Sequence, residues 1–261
     1  MTIGFSGMMS STQPKNTIHW KNLILAAILV ALVIGAYWLK TRQKPAVTGP
    51  EPIESTQALL DRGIREHNAG AIDTALDLYN KVLQRDPENR FAHYNIGQIF
   101  NSQGQYAKAQ QEYQTALKAD PNFIDARINL GVVLHRQRQF NPAISEFRKV
   151  LKTAPNHPTA FFNLGVTFVE MDQNEQAIHW LILALRQEPT KAESHYYLGL
   201  ALQKQKKLPE SKAALQKAIE LNPRFADAYM VLSRVYLAQG EQRLAQEAMA
   251  KAVELNPRLK K

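Results

Sequence analysis

Residues 161–189 read FFNLGVTFVEMDQNEQAIHWLILALRQEP, and this stretch decides the fold. Its apolar residues recur every three or four positions, which places them on one face of an α-helix, and the polar segment MDQNEQ separates two such runs. The proline at position 189 closes the second run, because proline cannot continue a helix. The stretch therefore predicts two antiparallel amphipathic helices joined by a short turn.

A proline recurs at one fixed interval along most of the chain. Six prolines lie 34 residues apart: Pro87, Pro121, Pro155, Pro189, Pro223 and Pro257. A constant period of this length is typical of a stacked array of repeats. Frames set on these prolines are residues 56–89, 90–123, 124–157, 158–191, 192–225 and 226–259, followed by a short tail at 260–261.

Small residues keep fixed places within these frames. The eighth position holds Gly63, Gly97, Gly131, Gly165, Gly199 and Ser233. The twentieth position holds Ala75, Ala109, Ala143, Ala177, Ser211 and Ala245. Because a larger side chain between two closely packed helices would clash, this pattern predicts a close helix crossing in every frame.

The order of apolar residue, glycine, aromatic residue, alanine, aromatic residue and proline resembles the tetratricopeptide repeat (TPR), and residues 161–189 are similar to a standard copy. The resemblance extends over residues 56–259 in six consecutive frames. It implies an all-α fold, a right-handed superhelical α-solenoid of six 34-residue helix-turn-helix repeats. It also implies a concave groove lined by the first helix of each repeat, and a protein-binding role without chemistry.

The first 55 residues differ in composition from the repeats. Residues 1–22 contain no acidic side chain and read as a mobile tail, whereas residues 23–39 form an uncharged apolar run. At about 1.5 Å per residue this run crosses most of a hydrocarbon layer of ~30 Å. Trp20 and Trp38 lie at its edges, as expected for membrane interfaces. We predict a single transmembrane helix preceding the solenoid.

A cleaved secretory signal is the alternative reading of this segment. The length of the apolar run, the bulky Trp38 and the basic residues that follow from Lys40 oppose it. Residues 40–55 contain three prolines and read as a linker. Basic residues lie on both sides of the apolar run, so the topology of this single-pass protein stays open, with a lean towards a cytoplasmic repeat domain.

Helix periodicity also points to the binding face. Positions 2, 6, 9 and 13 of each frame face away from the partner helix, yet position 9 is apolar in the third to fifth repeats. Position 6 repeats asparagine three times, and such side-chain amides can hydrogen-bond a peptide backbone. The predicted partner-binding groove comprises Tyr94, Asn95, Gln98, Ile128, Asn129, Val132, Phe162, Asn163, Val166, Val169, Tyr196, Tyr197 and Leu200.

Several readings of these residues stay open. The residues at position 5, such as Ile128 and Phe162, can instead pack against the adjacent repeat, and the asparagines can serve local structure. The clamp that related repeats use for the carboxylate of chaperone tails is disfavoured, because Asp125 and Thr159 stand where cations are needed. The last helix has no following repeat, so Leu244, Ala248 and Leu255 are expected to be exposed. That face suggests self-association, or a structural subunit that docks through its convex or terminal surfaces.

The net charge of +9 is shared between the first 55 residues and the repeats. A cluster of cations follows the first helices of the third and fifth repeats: Arg136, Arg138, Lys204, Lys206 and Lys207. These side chains complement helix C-termini, or attract anionic lipid or an acidic partner. No nucleic-acid-reading motif accompanies them, so nucleic acid is not expected as a partner.

Catalysis has no support in the sequence. The chain lacks cysteine, a phosphate-binding Gly-Lys loop, an HExxH pair and a nucleophile elbow. Its seven histidines fall at unrelated repeat positions without metal-ligand spacing. We therefore predict no enzyme activity, no cofactor and no metal. The expected function is a membrane-tethered scaffold for protein–protein interaction, binding an extended or helical segment for assembly, secretion or biogenesis of a membrane-associated complex.

Overall fold

A computed structural model describes residues 54–260 of the chain. The predicted tail, transmembrane helix and nearly all of the linker lie outside the described residues. The helices are α1 (Thr56–Asn68), α2 (Ile72–Arg85), α3 (Arg90–Ser102), α4 (Tyr106–Ala119), α5 (Ile124–Arg136), α6 (Phe140–Thr153), α7 (Pro158–Glu170), α8 (Asn174–Gln187), α9 (Ala192–Lys204), α10 (Leu208–Leu221), α11 (Ala226–Ala238), α12 (Gln242–Leu255) and a 3₁₀ helix (Pro257–Leu259).

The prediction of an all-α solenoid is confirmed for residues 54–260, which contain twelve α-helices and no strand. None of these helices combines the length and the apolar character that a membrane crossing requires. The helices pair in chain order, α1 with α2 through to α11 with α12. Each even-numbered helix then packs against the odd-numbered helix that follows it. Sequence neighbours are therefore spatial neighbours throughout the array, as in other solenoids.

The curvature of the array follows from how the pairs stack. Every odd-numbered helix also contacts the next odd-numbered helix, with Cα atoms within 8 Å. Within residues 54–260, successive even-numbered helices do not approach one another in this way. The odd-numbered helices therefore lie closer together and form the inner face, while the even-numbered helices form the outer face.

The turn within each repeat contains one residue with a left-handed backbone. The first, second and sixth repeats use glycine there, with φ of +81° at Gly70, +73° at Gly104 and +79° at Gly240. The following residue donates its backbone N–H to a carbonyl one turn back in the helix, as Ala71 does to Glu66 at 2.9 Å. Because glycine has no Cβ, it adopts this conformation without steric cost.

The other three repeats place charged residues at the same position. Arg138 has φ of +60°, Asp172 of +57° and Lys206 of +59°. Side chains with a Cβ are strained there, and aspartate tolerates the conformation better than arginine or lysine. The middle of the array therefore carries charge at three turns where glycine would be the easier choice.

The periodic prolines stand just beyond the even-numbered helices. Helix α2 ends at Arg85, and Asp86 donates its N–H to the carbonyl of Val82 at 2.9 Å. Pro87 then stops the chain from continuing as helix, because it has no N–H to donate. The chain re-enters a helix at α3, whose cap Asn89 accepts from the backbone N–H of Ala92 at 3.0 Å.

The two helices of a repeat cross at the predicted small residues. A Cβ added to Gly131 would lie 2.4 Å from Cε1 of the fully buried Phe147. Added to Gly165, it would lie 2.5 Å from Cγ of Leu181. Where serine replaces a small residue at a crossing, its hydroxyl is hydrogen-bonded, as Ser233 Oγ is to the carbonyl of Ala245 at 2.7 Å. The predicted close crossing is confirmed by these distances.

The last helix differs from its expected exposure. Ala248 is only 7% exposed, and Leu244 packs against the apolar cluster of the fifth and sixth repeats. Leu255 is half-buried. The expectation of an open apolar face is therefore wrong for Ala248, which α11 covers, whereas Leu244 and Leu255 keep part of their surface exposed.

Replacing Gly131 with alanine tests the crossing between α5 and α6. The added methyl group must displace the ring of Phe147, and the clash outweighs the gain in helix propensity. We expect the free energy of unfolding to decrease by about 1–2 kcal/mol. Circular dichroism measures this decrease as a lower midpoint of urea unfolding. Ser145→Ala, on the exposed face of α6, is the control and should leave the midpoint nearly unchanged. An unchanged midpoint for Gly131→Ala would mean that the ring moves aside freely.

Candidate functional site

A cavity of about 410 Å³ opens on the inner face between α5, α7 and α9, and we call it the central pocket. It lies in the middle of the array, where three successive inner helices meet. Its lining residues are Val132, His135, Arg136, Arg138, Phe140, Phe162, Asn163, Val166, Glu170 and Tyr197. An apolar wall and a charged end therefore share one concavity.

Five residues of the predicted groove meet in this pocket: Val132, Phe162, Asn163, Val166 and Tyr197. They come from three repeats, so no single repeat builds the site. The other five lining residues were not predicted as groove residues: His135, Arg136, Arg138, Phe140 and Glu170. All five lie at the ends of helices or in a turn. Periodicity places position 13, held by Arg136 and Glu170, on the inner face, and Arg136 and Arg138 belong to the predicted cluster of cations.

Aromatic rings hold the apolar wall in place. The ring of Phe162 packs edge-on against Tyr197, with centroids 5.8 Å apart. Tyr197 in turn packs edge-on against Tyr196, with centroids 5.0 Å apart. Burial raises the pKa of Tyr197, and the negative charge of Glu170 raises it further, so the Tyr197 phenol stays protonated at neutral pH. Val132, Phe162, Val166 and Tyr197 are half-buried, which leaves part of each side chain open to a partner.

His135 is oriented by a chain of hydrogen bonds between repeats. The hydroxyl of the buried Thr167 donates to the carbonyl of Asn163 at 2.7 Å. That hydroxyl must therefore accept from His135 Nδ1, which lies 3.1 Å away. In the neutral imidazole the remaining nitrogen, Nε2, is then an acceptor. Burial lowers the pKa of His135, and Arg136 and Arg138 lower it further, against an opposing effect of Glu170.

The charged end of the pocket contains two arginines and one glutamate. Within residues 54–260, Arg136, Arg138 and Glu170 form no ion pair. The guanidinium of Arg138 lies 5.5 Å from the ring centroid of Phe140, and this cation–π contact holds it beside the pocket. With His135 neutral, these side chains leave a net charge of +1 at this end.

The predicted asparagine ladder already has local partners. Asn95 Nδ2 donates to the carbonyl of Phe91 at 2.7 Å, and Asn163 Nδ2 donates to that of Thr159 at 3.0 Å. Asn129 Nδ2 lies 3.4 Å from the Tyr94 hydroxyl. These bonds fit the alternative that the amides serve local structure. They leave the amide oxygen and the second N–H of each amide as the groups available to a peptide.

Three of the remaining predicted groove residues are buried, so packing is their main role. Asn95 is 9% exposed, Ile128 7% and Val169 3%, and both Ile128 and Val169 belong to the central core. The Tyr94 hydroxyl accepts from Gln98 Nε2 at 2.9 Å. Leu200 is half-buried.

Aromatic residues at position 5 also contact the segment that leads into the following repeat. The ring of Tyr94 lies 4.9 Å from that of Phe123, and the ring of Tyr196 lies 4.8 Å from that of Phe225. Phe123 and Phe225 end the same frames and directly precede the next inner helix. Contact with the adjacent repeat itself is made by Phe162, whose ring packs against the fifth repeat, so packing between repeats is part of the role of this position.

Family models match three parts of the chain. The model described as surface lipoprotein assembly modifier, N-terminal TPR repeats, matches residues 50–142. Tetratricopeptide repeat models match residues 192–225 and 226–259. A search of curated protein sequences finds no match.

Three solved structures illustrate the likeness of helical architecture. MamA of Desulfovibrio magneticus RS-1, from residue 41, is 25% identical with a TM-score of 0.59, covering 64% of this chain and 95% of its own. PilF of Pseudomonas aeruginosa is 19% identical with a TM-score of 0.68, over 77% of this chain and 92% of its own. YrrB, described as a TPR protein with an unusual peptide-binding site, is 22% identical with a TM-score of 0.56, over 69% and 92%. PilF and YrrB show the likeness of fold alone.

Two half-buried histidines of the array, His135 and His93, predict opposite pH effects on stability. The folded-state pKa of His135 is lowered, so below pH 6.5 the unfolded chain takes up its proton first and stability falls. His93 has a raised pKa, because its Nδ1 lies 2.6 Å from Glu112 Oε2. Its contribution is present below pH 6.5 and is lost as pH rises through the folded-state pKa.

As the pH falls from about 7.5 to about 5.5, we expect the stability of the native chain to decrease relative to that of His135→Gln. Relative to His93→Gln, it should increase over the same range. Urea midpoints at the two pH values measure both differences, and each variant serves as the control for the other. Equal pH dependence in both comparisons would show that the surroundings of the two rings do not differ as described.

Proposed function

Because the chain is built of tetratricopeptide repeats, we propose that it is a membrane-tethered scaffold that binds a protein segment along its inner face. Proteins with such repeats act as protein–protein interaction scaffolds. The observation that carries the proposal is the central pocket, in which Val132, Phe162, Asn163, Val166 and Tyr197 converge from three repeats. The bound segment would serve the assembly, secretion or biogenesis of a membrane-associated complex.

The shape of the inner face favours a peptide over a small molecule. The central pocket is open, and half-buried apolar side chains continue beyond it to Leu200 on α9. Neighbouring packed helices lie about 10 Å apart, so α5 to α9 span about 20 Å. An extended segment of about six residues, at ~3.3 Å each, matches that length. Its side chains would alternate between the groove and the solvent.

The membrane tether rests on the sequence of residues 23–39. Their uncharged apolar run, with Trp20 and Trp38 at its edges, has the composition of a spanning helix. The match of residues 50–142 to the repeats of a surface lipoprotein assembly modifier supports a role in assembly at a membrane. Held near a bilayer by the linker of residues 40–55, the solenoid would recruit its partner to that surface.

Val166→Glu tests binding in the groove. Val166 is half-buried in the wall of the central pocket, so a partner's apolar side chain would bury the new carboxylate without a matched donor. We expect specific partners crosslinked in native membranes to decrease about tenfold, while helicity and melting stay nearly unchanged. Quantitative mass spectrometry of the crosslinked material measures the decrease.

Ile182→Glu provides the matched control. Ile182 is 40% exposed on the outer helix α8 and does not line the central pocket, so the same change there should leave partner recovery intact. If Val166→Glu retains its partners while changes in α12 remove them, the chain is a structural subunit that docks through its terminal surface.

Deleting residues 23–39 tests the tether independently of the groove. The intact chain should stay with the membrane pellet after carbonate extraction, and the deletion variant should move to the supernatant. Circular dichroism of the released protein should retain the helical signal of the repeats. Release of the intact chain by carbonate would overturn the proposed anchor.

A further inference from the structure

The position of Arg138 requires an explanation beyond folding. It occupies the left-handed turn position with φ of +60°, where the first, second and sixth repeats use glycine. A side chain with a Cβ is disfavoured there, and arginine has none of the local hydrogen bonding that makes aspartate tolerable. Residues held in such conformations cluster at functional sites. Arg138 lines the central pocket, which gives this strained residue a place to act.

The other two charged turn residues differ from Arg138. Asp172 lies 3.0 Å from Lys204 Nζ, so it forms an ion pair between the fourth and fifth repeats. Lys206 does not line the central pocket. Arg138 and Arg136 both line it and have no acidic partner within residues 54–260. Two guanidinium groups therefore stand beside an apolar wall without an ion-pair partner, although Glu170 lies in the same pocket.

The backbone of the turn narrows the kind of anion that fits. The N–H groups of Gln137, Arg138 and Gln139 donate to Val133, His135 and Leu134 at 3.0, 2.8 and 2.9 Å. These three N–H groups are therefore not available to hold a chain-terminal carboxylate. His135 donates from Nδ1 to Thr167 and presents an acceptor, which does not bind a carboxylate. Recognition of an anion falls to the two arginine side chains, which suit a side-chain carboxylate.

We propose that the central pocket selects a partner segment in which a large apolar side chain stands next to an Asp or Glu. This inference rests on the proposed function of the groove. The apolar side chain lies between Val132, Phe162 and Val166, and the carboxylate meets Arg136 and Arg138. A volume of about 410 Å³ accommodates one large side chain with the backbone that carries it.

The charge of Glu170 predicts the direction in which its replacement changes binding. It is the acidic residue of the pocket and repels the partner's carboxylate while the arginines attract it. Removing its charge with Glu170→Gln should therefore tighten binding of an acidic segment. A pocket that instead recognised a basic segment would respond in the opposite direction.

The selectivity is tested by selecting binders from a displayed library of random peptides of about twelve residues. The target is the full-length chain, held in a non-ionic detergent. The native chain should enrich peptides in which Asp or Glu neighbours Leu, Ile, Phe or Met. Arg138→Gly should lose the acidic enrichment and keep the apolar one. Lys206→Gly is the matched control, because it removes a cation from the same left-handed position outside the pocket, and it should select as the native chain does.

Binding of one enriched peptide, measured by fluorescence anisotropy, gives the magnitudes. Arg138→Gly should weaken binding about three- to fivefold and Glu170→Gln should tighten it about twofold, with both effects reduced by salt. Melting temperatures should not fall for Arg138→Gly or Lys206→Gly, since glycine relieves the backbone strain. Weaker binding without a fall in melting temperature is therefore not caused by misfolding.

The outcomes separate this inference from the function on which it rests. Enrichment of apolar peptides without acidic residues, lost in Val166→Glu, would overturn the acidic selectivity and leave the groove in place. Enrichment of Lys or Arg would overturn the inference in favour of recognition by Glu170. Enrichment that is equal for the native chain and Val166→Glu would overturn both, since no peptide would then depend on the pocket.

Discussion

The close contact between a glycine and a large buried side chain determines the geometry of the first five repeats. Where Gly97 faces Tyr113 or Gly199 faces Leu215, the two helices approach until a single methyl group would not fit. This distance fixes how the pair crosses, and the crossing fixes which residues of the odd-numbered helix face inward. The inner surface is thus a consequence of the crossing, and the central pocket forms because three such pairs stack in the same register.

The sequence predicts this part of the structure well because its causes are local and periodic. Helical spacing, the small residues at the crossing and the prolines after each second helix all act within one frame of residues. The apolar wall of the pocket follows from the same reasoning, which is why Val132, Val166 and Phe162 could be predicted. Serine at the sixth crossing was harder to interpret, since its acceptor at Ala245 is visible only once the helices are paired.

The charged end of the pocket could be predicted only in part. Arg136 and Glu170 both occupy position 13, which helical periodicity places on the inner face, and Arg136 belongs to the predicted cluster of cations, but the sequence did not bring the two residues together in one site. Their meeting depends on how far one repeat rotates relative to the next, which no single frame contains. Burial is equally non-local. Val169 has the apolar character of a groove residue, yet its neighbours cover it almost completely. One signal was available: Arg138 stands where three other repeats have glycine.

The contrast between the inner and outer helices has a mechanical consequence. Successive inner helices touch, whereas successive outer helices within residues 54–260 do not. When such an array bends, the contacts between inner helices keep their spacing, while the gaps between outer helices widen or narrow. Spacing between side chains on the inner face therefore changes least during bending. A segment bound along α5, α7 and α9 would keep its register while the solenoid around it adjusts its curvature to a larger assembly.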